Sequence, residues 1–268
     1  MLIIESPWTR QPQGPKPLSA LGNSLGLRML WNAGVGGLLA PSLVSNSVFI
    51  PDTTARVVPF VDYLSAPILT ASDHFYLNSD SWQQGNAFTL FALFRLPSVS
   101  GTQTIVSKFQ TGADSWVLRL QSGVVDWVVY TDNWYGCAAG TVAANRWSLV
   151  SATFADGKIT AYLNGTPGSP VSVGGTTSST AITRVGVSTE NRSSPLNGYL
   201  ALMGFAGPWS AQQHRQVADN PWQLFAPQQI IIPTPAAAGY THPTLSLATA
   251  TEIGATSFKP RVTYTFPS

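Results

Sequence analysis

Along residues 145–165, NRWSLVSATFADGKITAYLNG, apolar and polar positions alternate on either side of an Asp-Gly pair. Asp-Gly is a favoured centre for a two-residue hairpin, because both positions of a type I′ turn need φ > 0 and these residues tolerate it. With Asp156 and Gly157 as the turn, Ala155 faces Lys158. Phe154 then lies opposite Ile159, Ala152 opposite Ala161 and Val150 opposite Leu163. These six share one face and all are apolar. The other face pairs Thr153 with Thr160 and Ser151 with Tyr162, a polar or amphipathic set. A slip by one residue would turn the apolar set to water, so pattern and turn select one register.

The same grammar runs through the middle of the chain. FTLFALFRL, residues 88–96, is a nearly continuous apolar run and reads as a strand in the middle of a packed sheet. TIVSKFQ, SWVLRLQSG, VVDWVVYT, ITRVGVST and LNGYLALMGFAG follow, with turn residues between most of them. Many short strands with closely spaced turns predict an all-β antiparallel sandwich of the jelly-roll kind. One helix of about three turns is expected in SAQQHRQVADNPW, with Ser210 as N-cap and Pro221 after Asn220 as the stop.

The ends read differently. Residues 1–24 carry Pro7, Pro12, Pro15 and Pro17, which fix φ and remove donors, so an extended arm is expected there, without helix or central strand. Trp8 and the opening Leu2-Ile3-Ile4 favour docking of that arm on a surface. The sandwich is expected over residues 25–232, with Ile230 to Ile232 as a last strand and a linker at 233–239. Residues 240–268 alternate as a two-strand β-ribbon, with Leu245 and Leu247 on one parity and Val262, Tyr264 and Phe266 on another. A two-strand ribbon is marginal alone and needs something to pack on. Trp8, Pro12, Pro15, Leu245, Leu247, Val262, Tyr264 and Phe266 are therefore the expected assembly contacts.

Composition narrows the function. Of 268 residues, 44% are hydrophobic, which argues against disorder, and only 10% are charged, against roughly 25% in an average soluble domain. The net charge is +2 and no block of Lys or Arg occurs, so the phosphate-tracking stripe of a nucleic-acid binder is missing. The single cysteine, Cys137, excludes an internal disulfide framework and reads as a small buried residue. No apolar run reaches the roughly 18 residues of a membrane-spanning helix. The opening MLIIESPWTRQPQGPKP breaks into prolines before a signal-peptide core can form, so folding in a cytoplasm is expected.

In sequence order, FTLFALFRL, TIVSKFQ, SWVLRLQSG, the 145–165 hairpin and LNGYLALMGFAGPWSAQQHRQV resemble the elements of the laminin-G-like, concanavalin-A-like sandwich family. Trp147, Phe154, Gly157, Tyr162, Asn164 and Gly165 sit at the family's hairpin positions. The likeness covers about residues 86–225 and implies fold far more than activity, since function on this scaffold lives in variable loops. SPWTRQPQGP, DNPWQLFAPQQIIIP and TEIGATSFKPRVTYTF resemble segments of bacteriophage and prophage structural proteins. That second resemblance implies a virion component, assembled in the host cytoplasm in many copies beside other phage proteins.

Catalytic chemistry finds little support in the residues. Glycosidases on such sandwiches use paired carboxylates about 5–10 Å apart. Glu5, Glu190 and Glu252 are the only glutamates, none with an acidic neighbour two residues away, and Asp73, Asp80, Asp114, Asp126, Asp132 and Asp156 are scattered. His74, His214 and His242 show neither metal-ligand spacing nor a nucleophile elbow, and His214 reads as a surface or packing residue of the helix. The expectation is a non-enzyme without a resident cofactor.

Binding is better supplied. TDNWYG brings Asp132, Asn133, Trp134 and Tyr135 into one loop, an aromatic face beside amide and carboxylate groups, and these are the candidate glycan contacts. Trp82, Gln83 and Gln84 form a second such cluster. Capping of the sandwich core by the aromatic rings is the alternative. Asp132 and Asn133, with Asp114 or Asp126 as helpers, are candidate calcium ligands; an ordinary polar turn is the alternative. Trp116, Trp127 and Trp147 lie within strands and read as packing residues. The leading expectation is a non-enzymatic virion structural protein, a tail-associated fibre or adhesin, forming a homo-oligomer (a trimer by preference) and contacting host-surface polysaccharide. A capsid-decoration or head-fibre protein, a soluble lectin and an unusual glycosidase are the alternatives.

Overall fold

The structure, a computed structural model, describes residues 2–6, 17–32, 40–41, 48–51, 56–61, 64–69, 74–77, 87–109, 115–179, 181–188, 193–226 and 228–232. The elements begin with β1 (Leu2–Ser6), α1 (Ala20–Ser24), β2 (Leu27–Asn32), β3 (Ala40–Pro41), β4 (Val48–Pro51), β5 (Arg56–Val61), β6 (Leu64–Leu69) and β7 (Phe75–Leu77). The middle of the chain supplies β8 (Phe88–Arg95), β9 (Thr102–Lys108), β10 (Ser115–Gln121), β11 (Val124–Tyr130), β12 (Trp134–Thr141), β13 (Trp147–Ala155) and β14 (Lys158–Leu163). Then come β15 (Thr166–Pro167), β16 (Val171–Ser172), β17 (Arg184–Val185), β18 (Gly198–Ala206), α2 (Ala211–Asp219), a 3-10 turn (Pro221–Leu224) and β19 (Gln228–Ile232).

Two antiparallel sheets form the sandwich. The front sheet runs β12-β11-β10-β9-β17-β7-β4-β3, and the back sheet runs β15-β14-β13-β8-β18-β6-β5, with β16 beside β14 and β2 beside β18. The expected all-β sandwich is thus present. β8 sits in the middle of its sheet, between β13 and β18, as its nearly continuous apolar run predicted. The 145–165 hairpin has the predicted register from Ala155–Lys158 to Val150–Leu163. Its turn residues take φ of 51° at Asp156 and 66° at Gly157, the left-handed values that made Asp-Gly the signal.

Between the sheets lies one aromatic-rich core. Phe88 is its hub, with ring centroids 5.9 Å from Trp116, 6.1 Å from Trp127 and 6.2 Å from Phe154. Trp116 and Trp127 are therefore core residues, and Cys137 is buried with its thiol donating to the Ser169 carbonyl at 3.1 Å. Burial raises the Cys137 pKa above the ordinary thiol value, which keeps the group protonated.

A second apolar cluster covers the outer side of the back sheet. Phe91 and Leu93 of β8 alternate away from the main core and meet Trp209, Val217 of α2, Trp222 and Leu224 of the 3-10 turn, and Phe225 just after it. α2 starts where the sequence placed it. Ser210 caps it by accepting the Gln213 N–H, while the Gln213 side chain accepts the Ser210 N–H, a complete capping box.

The expected extended arm needs correction at its last residues. Ala20–Ser24 is helical, with Ser19 as N-cap accepting the Gly22 N–H at 3.0 Å. Proline's restriction ends at Pro17, and the chain from there is stitched to the cover: Ser19 N–H donates to the Leu224 carbonyl and Ala226 N–H to the Pro17 carbonyl. Gly22 is required here, since a Cβ would lie 2.3 Å from the Leu224 carbonyl oxygen.

The chain divides into two compact units, Ser6–Gln228 and Met1–Glu5 with Gln229–Ser268. β19 is the strand anticipated at Ile230 to Ile232, but its partner is β1, in a two-stranded sheet separate from the sandwich sheets. Trp8, Pro12, Pro15, Leu245, Leu247, Val262, Tyr264 and Phe266, and the cluster Trp82, Gln83 and Gln84, lie outside the described residues. Among the described residues no helix is long and apolar enough to cross a membrane.

Candidate functional site

β12 begins at Trp134, so Trp134 and Tyr135 face opposite sides of the sheet while Asp132 and Asn133 lie in the turn before it. Asp132 and Tyr135 belong to a closed turn. The Tyr135 hydroxyl donates to Asp132 Oδ1 at 2.9 Å, and the Thr131 hydroxyl lies between that same oxygen, at 2.9 Å, and the Gly174 carbonyl. The hydroxyls of Thr131 and Tyr135 hold the Asp132 pKa below the usual carboxylate value, and the carboxylate in turn raises the Tyr135 phenol above its own. Asn133 turns its Oδ1 back to the Trp134 N–H at 2.8 Å.

Asp132 Oδ1 and Asn133 Oδ1, from the candidate calcium ligands, are already hydrogen-bonded within the turn, the first to two hydroxyls and the second to a backbone amide. Calcium takes 6–8 oxygens. Asp126 is engaged elsewhere by Arg119, and Asp114 lies outside the described residues. Among the described residues no three His, Cys, Asp or Glu side chains come together.

Trp134 points to the other side, the outer face of the front sheet, where it is 53% exposed. There it pairs across the strands with Tyr130, centroids 5.0 Å apart, and meets Phe109 at 5.3 Å. An aromatic ring left half in water but braced on two sides is held rigid without being capped, which sets it apart from the rings that seal the core.

Trp134 and Phe109 wall one side of a cleft of about 150 Å³ on that face. β9 contributes Thr102 and Thr104, and β10 contributes Val117 and Arg119. Ser188, Ser193 and Ser194 complete the lining. Backbone bonds fix the serines in place: Ser188 N–H donates to the Ser193 carbonyl and Thr104 N–H to the Ser194 carbonyl, at 2.9 and 2.7 Å. The cleft therefore combines an aromatic wall with hydroxyls from three separate segments and a single guanidinium. Arg119 stands directly opposite Asp126 in the β10–β11 register and donates through Nε to Oδ2 at 2.9 Å.

Of these residues the sequence reading found only Trp134. Val117 and Arg119 carry the outward parity of their strand, a signal that was available. Phe109, Thr104 and the serines are brought together by strand order, which no local pattern encodes.

His214 presents a different chemistry. It is fully buried under α2, with Nδ1 2.7 Å from Ser151 Oγ and Nε2 2.7 Å from Thr153 Oγ1, and its ring stacks on Tyr162 at 3.6 Å. Thr153 Oγ1 continues to Thr89 Oγ1 at 2.9 Å, which accepts the Trp209 N–H at 2.9 Å. Burial pushes the His214 pKa down to about 3, so the ring is neutral, with one nitrogen donating and the other accepting. A serine–histidine contact of this length is the raw material of a nucleophile. Here Ser151 and His214 are both 0% exposed, so no substrate reaches the pair. Of the two roles foreseen for His214, packing is the one it plays.

No curated protein matches the chain in sequence. In structure it is similar to domain 4 of AbnA, a GH43 extracellular arabinanase from Geobacillus stearothermophilus, solved in complex with arabinotriose: TM-score 0.59, 13% identity, covering 72% of this chain and 98% of that one. The binding domain of Paraclostridial Mosquitocidal Protein 1 (TM-score 0.60, 13% identity) and the botulinum neurotoxin serotype D binding domain (TM-score 0.60, 11% identity) each cover 75% of this chain. The chain spans 53% of each toxin domain's length, and at such identities the likeness is one of fold. Residues 69–205, just over half of the chain, match the Laminin_G_3 family, and the chain belongs to that family of the concanavalin A-like lectin/glucanases superfamily.

Proposed function

We propose that this chain is a non-enzymatic recognition component of a bacteriophage virion, of the tail-associated fibre or adhesin kind, that holds a host-surface saccharide in the cleft beside Trp134. The observation that carries the binding part is the exposed, braced face of Trp134 over a cleft lined by Thr and Ser hydroxyls. A sugar ring offers an apolar C–H face and a polar rim, and such a cleft answers both at once. The arabinotriose-bound arabinanase domain and the toxin binding domains support recognition as a use of this sandwich.

The virion setting rests on the resemblance of the terminal segments to phage structural proteins. Assembly through those segments into a homo-oligomer, a trimer by preference, belongs to the same proposal. Neither a cofactor nor a metal is needed for it. The carboxylate beside the cleft, Asp126, is tied to Arg119, which favours binding over acid–base work.

Two experiments test the two parts. Binding of the purified protein to host-surface polysaccharide should be abolished by Trp134→Ala with folding unchanged; binding that survives the substitution removes the cleft from the account. Labelling intact virions with antibody against the sandwich should decorate the tail. Decoration of the head would replace the fibre with the capsid-decoration reading, and unlabelled particles would end the virion proposal.

A further inference from the structure

We infer that the saccharide this cleft selects is neutral, with the Arg119–Asp126 pair as its hydrogen-bonding element and Trp134 as its stacking platform. The inference rests on the cleft being a saccharide site and adds which chemical class it takes.

Charge decides it. Among the described lining residues Arg119 is the only charged one, and Asp126, its cross-strand neighbour, cancels it at 2.9 Å. The two side chains are 30% and 15% exposed, so the pair is partly shielded from the salt that would weaken it. A uronic, sialic or sulfated sugar on the Arg119 fork would bring its negative charge against the Asp126 carboxylate at the fork's side, and that repulsion offsets what the guanidinium offers. A neutral sugar meets no such repulsion.

The pair is nevertheless chemically available. Arg119 spends its Nε donor on Asp126, and among the described residues no partner takes its Nη donors. Its planar fork keeps a fixed spacing of N–H groups that matches two neighbouring oxygens. Asp126 keeps Oδ1 as an acceptor, on the side where Gly136 carries no side chain; a Cβ there would stand 3.7 Å from it. Donor fork and acceptor side by side, with zero net charge, suit vicinal hydroxyls. Thr102, Thr104, Ser188, Ser193 and Ser194 extend the same neutral polarity along the cleft.

The test is affinity electrophoresis of the full chain through gels containing dextran, arabinan or galactomannan as neutral probes, and polygalacturonate, alginate or polysialic acid as acidic ones. The expected result is retardation by at least one neutral polymer and by no acidic one, unchanged from low to high salt and abolished by Trp134→Ala. Asp126→Asn should weaken the neutral interaction about tenfold or more, as loss of a charged hydrogen-bonding group does. The same change leaves Arg119 uncompensated and should create salt-sensitive retardation by the acidic polymers. Arg119→Lys, which keeps the charge and loses the fork, should weaken neutral binding to a similar degree and serves if Asp126→Asn does not fold. Trp134-dependent retardation of the wild type by acidic polymers, fading with salt, would overturn neutrality and leave the saccharide site standing. Retardation by none of the six would overturn both.

Discussion

The two outer faces of this sandwich are built from the same alternating strands and end up in opposite states. On the back sheet, Phe91, Leu93, Leu149 and Ala201 are sealed under α2, the 3-10 turn and the α1 segment. On the front sheet, the strands β9 to β12 turn Thr102, Arg119, Asp126, Trp134 and Gly136 outward, and none of these is buried. The closed face has a polar centre with every partner inside: Thr89, Thr153, His214 and Ser151 bond one to the next. The open face has a polar centre whose Nη donors await a partner. A polar group under cover must be satisfied by the protein, whereas one on a surface can be satisfied by a ligand. On the proposed reading stability and recognition fall to different sheets, and substitutions should separate them.

The largest effect on folding is expected at Trp209. Its ring stacks on Phe91 at 4.8 Å and its indole N–H donates to the Leu25 carbonyl at 3.0 Å. Trp209→Ala should cost about 3–5 kcal/mol in urea unfolding. Any surviving folded protein should bind polysaccharide as the wild type does; lost affinity in that folded fraction would show the faces to be coupled.

His214 comes next. His214→Leu strands the Ser151 hydroxyl and leaves Thr153 only its bond to Thr89, which should cost about 1–3 kcal/mol. In the wild type the folded ring titrates at about 3 and the unfolded ring near 6.5, so the unfolded chain takes up the proton first. The stability this gives is complete above about pH 6.5 and drains as pH falls toward about 3, by at most ~1.4 kcal/mol per pH unit. His214→Leu should flatten that part of the profile. An unchanged slope would mean that His214 is charged in the folded state.

Smaller still is Ser210→Ala, which removes the capping box and should cost about 1 kcal/mol by thermal unfolding, with no effect on binding. Least of all should Trp134→Ala matter to folding, within about 0.5 kcal/mol, although it removes the stacking face altogether. A loss of several kcal/mol there would make Trp134 a core residue and erase the contrast between the sheets.

What could be read before folding was whatever adjacent residues decide. Asp156-Gly157 decides a turn, the turn decides a register, and the register holds for six pairs. Ser210 and Gln213 decide a helix start within four residues. The extended arm ends where local evidence changes sign, at the Ser19 cap just past Pro17. The site was legible only in Trp134, because its other walls come from residues 102 to 194 and meet through the β9-β10-β11-β12 order. Parity also splits a loop that looks contiguous on paper, leaving Asp132 and Tyr135 bonded to each other and Trp134 facing the cleft. The polar face of the 145–165 hairpin looked solvent-facing by its alternation. It is covered instead, because α2 brings in a ring with two nitrogens to meet its hydroxyls.

The most direct test of the division between faces is an NMR titration of the isotope-labelled protein with neutral oligosaccharides, arabinotriose first. Shifts should gather at the Trp134 indole, Val117, Arg119, Thr104 and Ser194 and leave the His214 and Trp209 signals still. Shifts that gather on the covered side around α2, or on the Asp132–Asn133 turn with Trp134 unmoved, would contradict the assignment of recognition to the open front sheet.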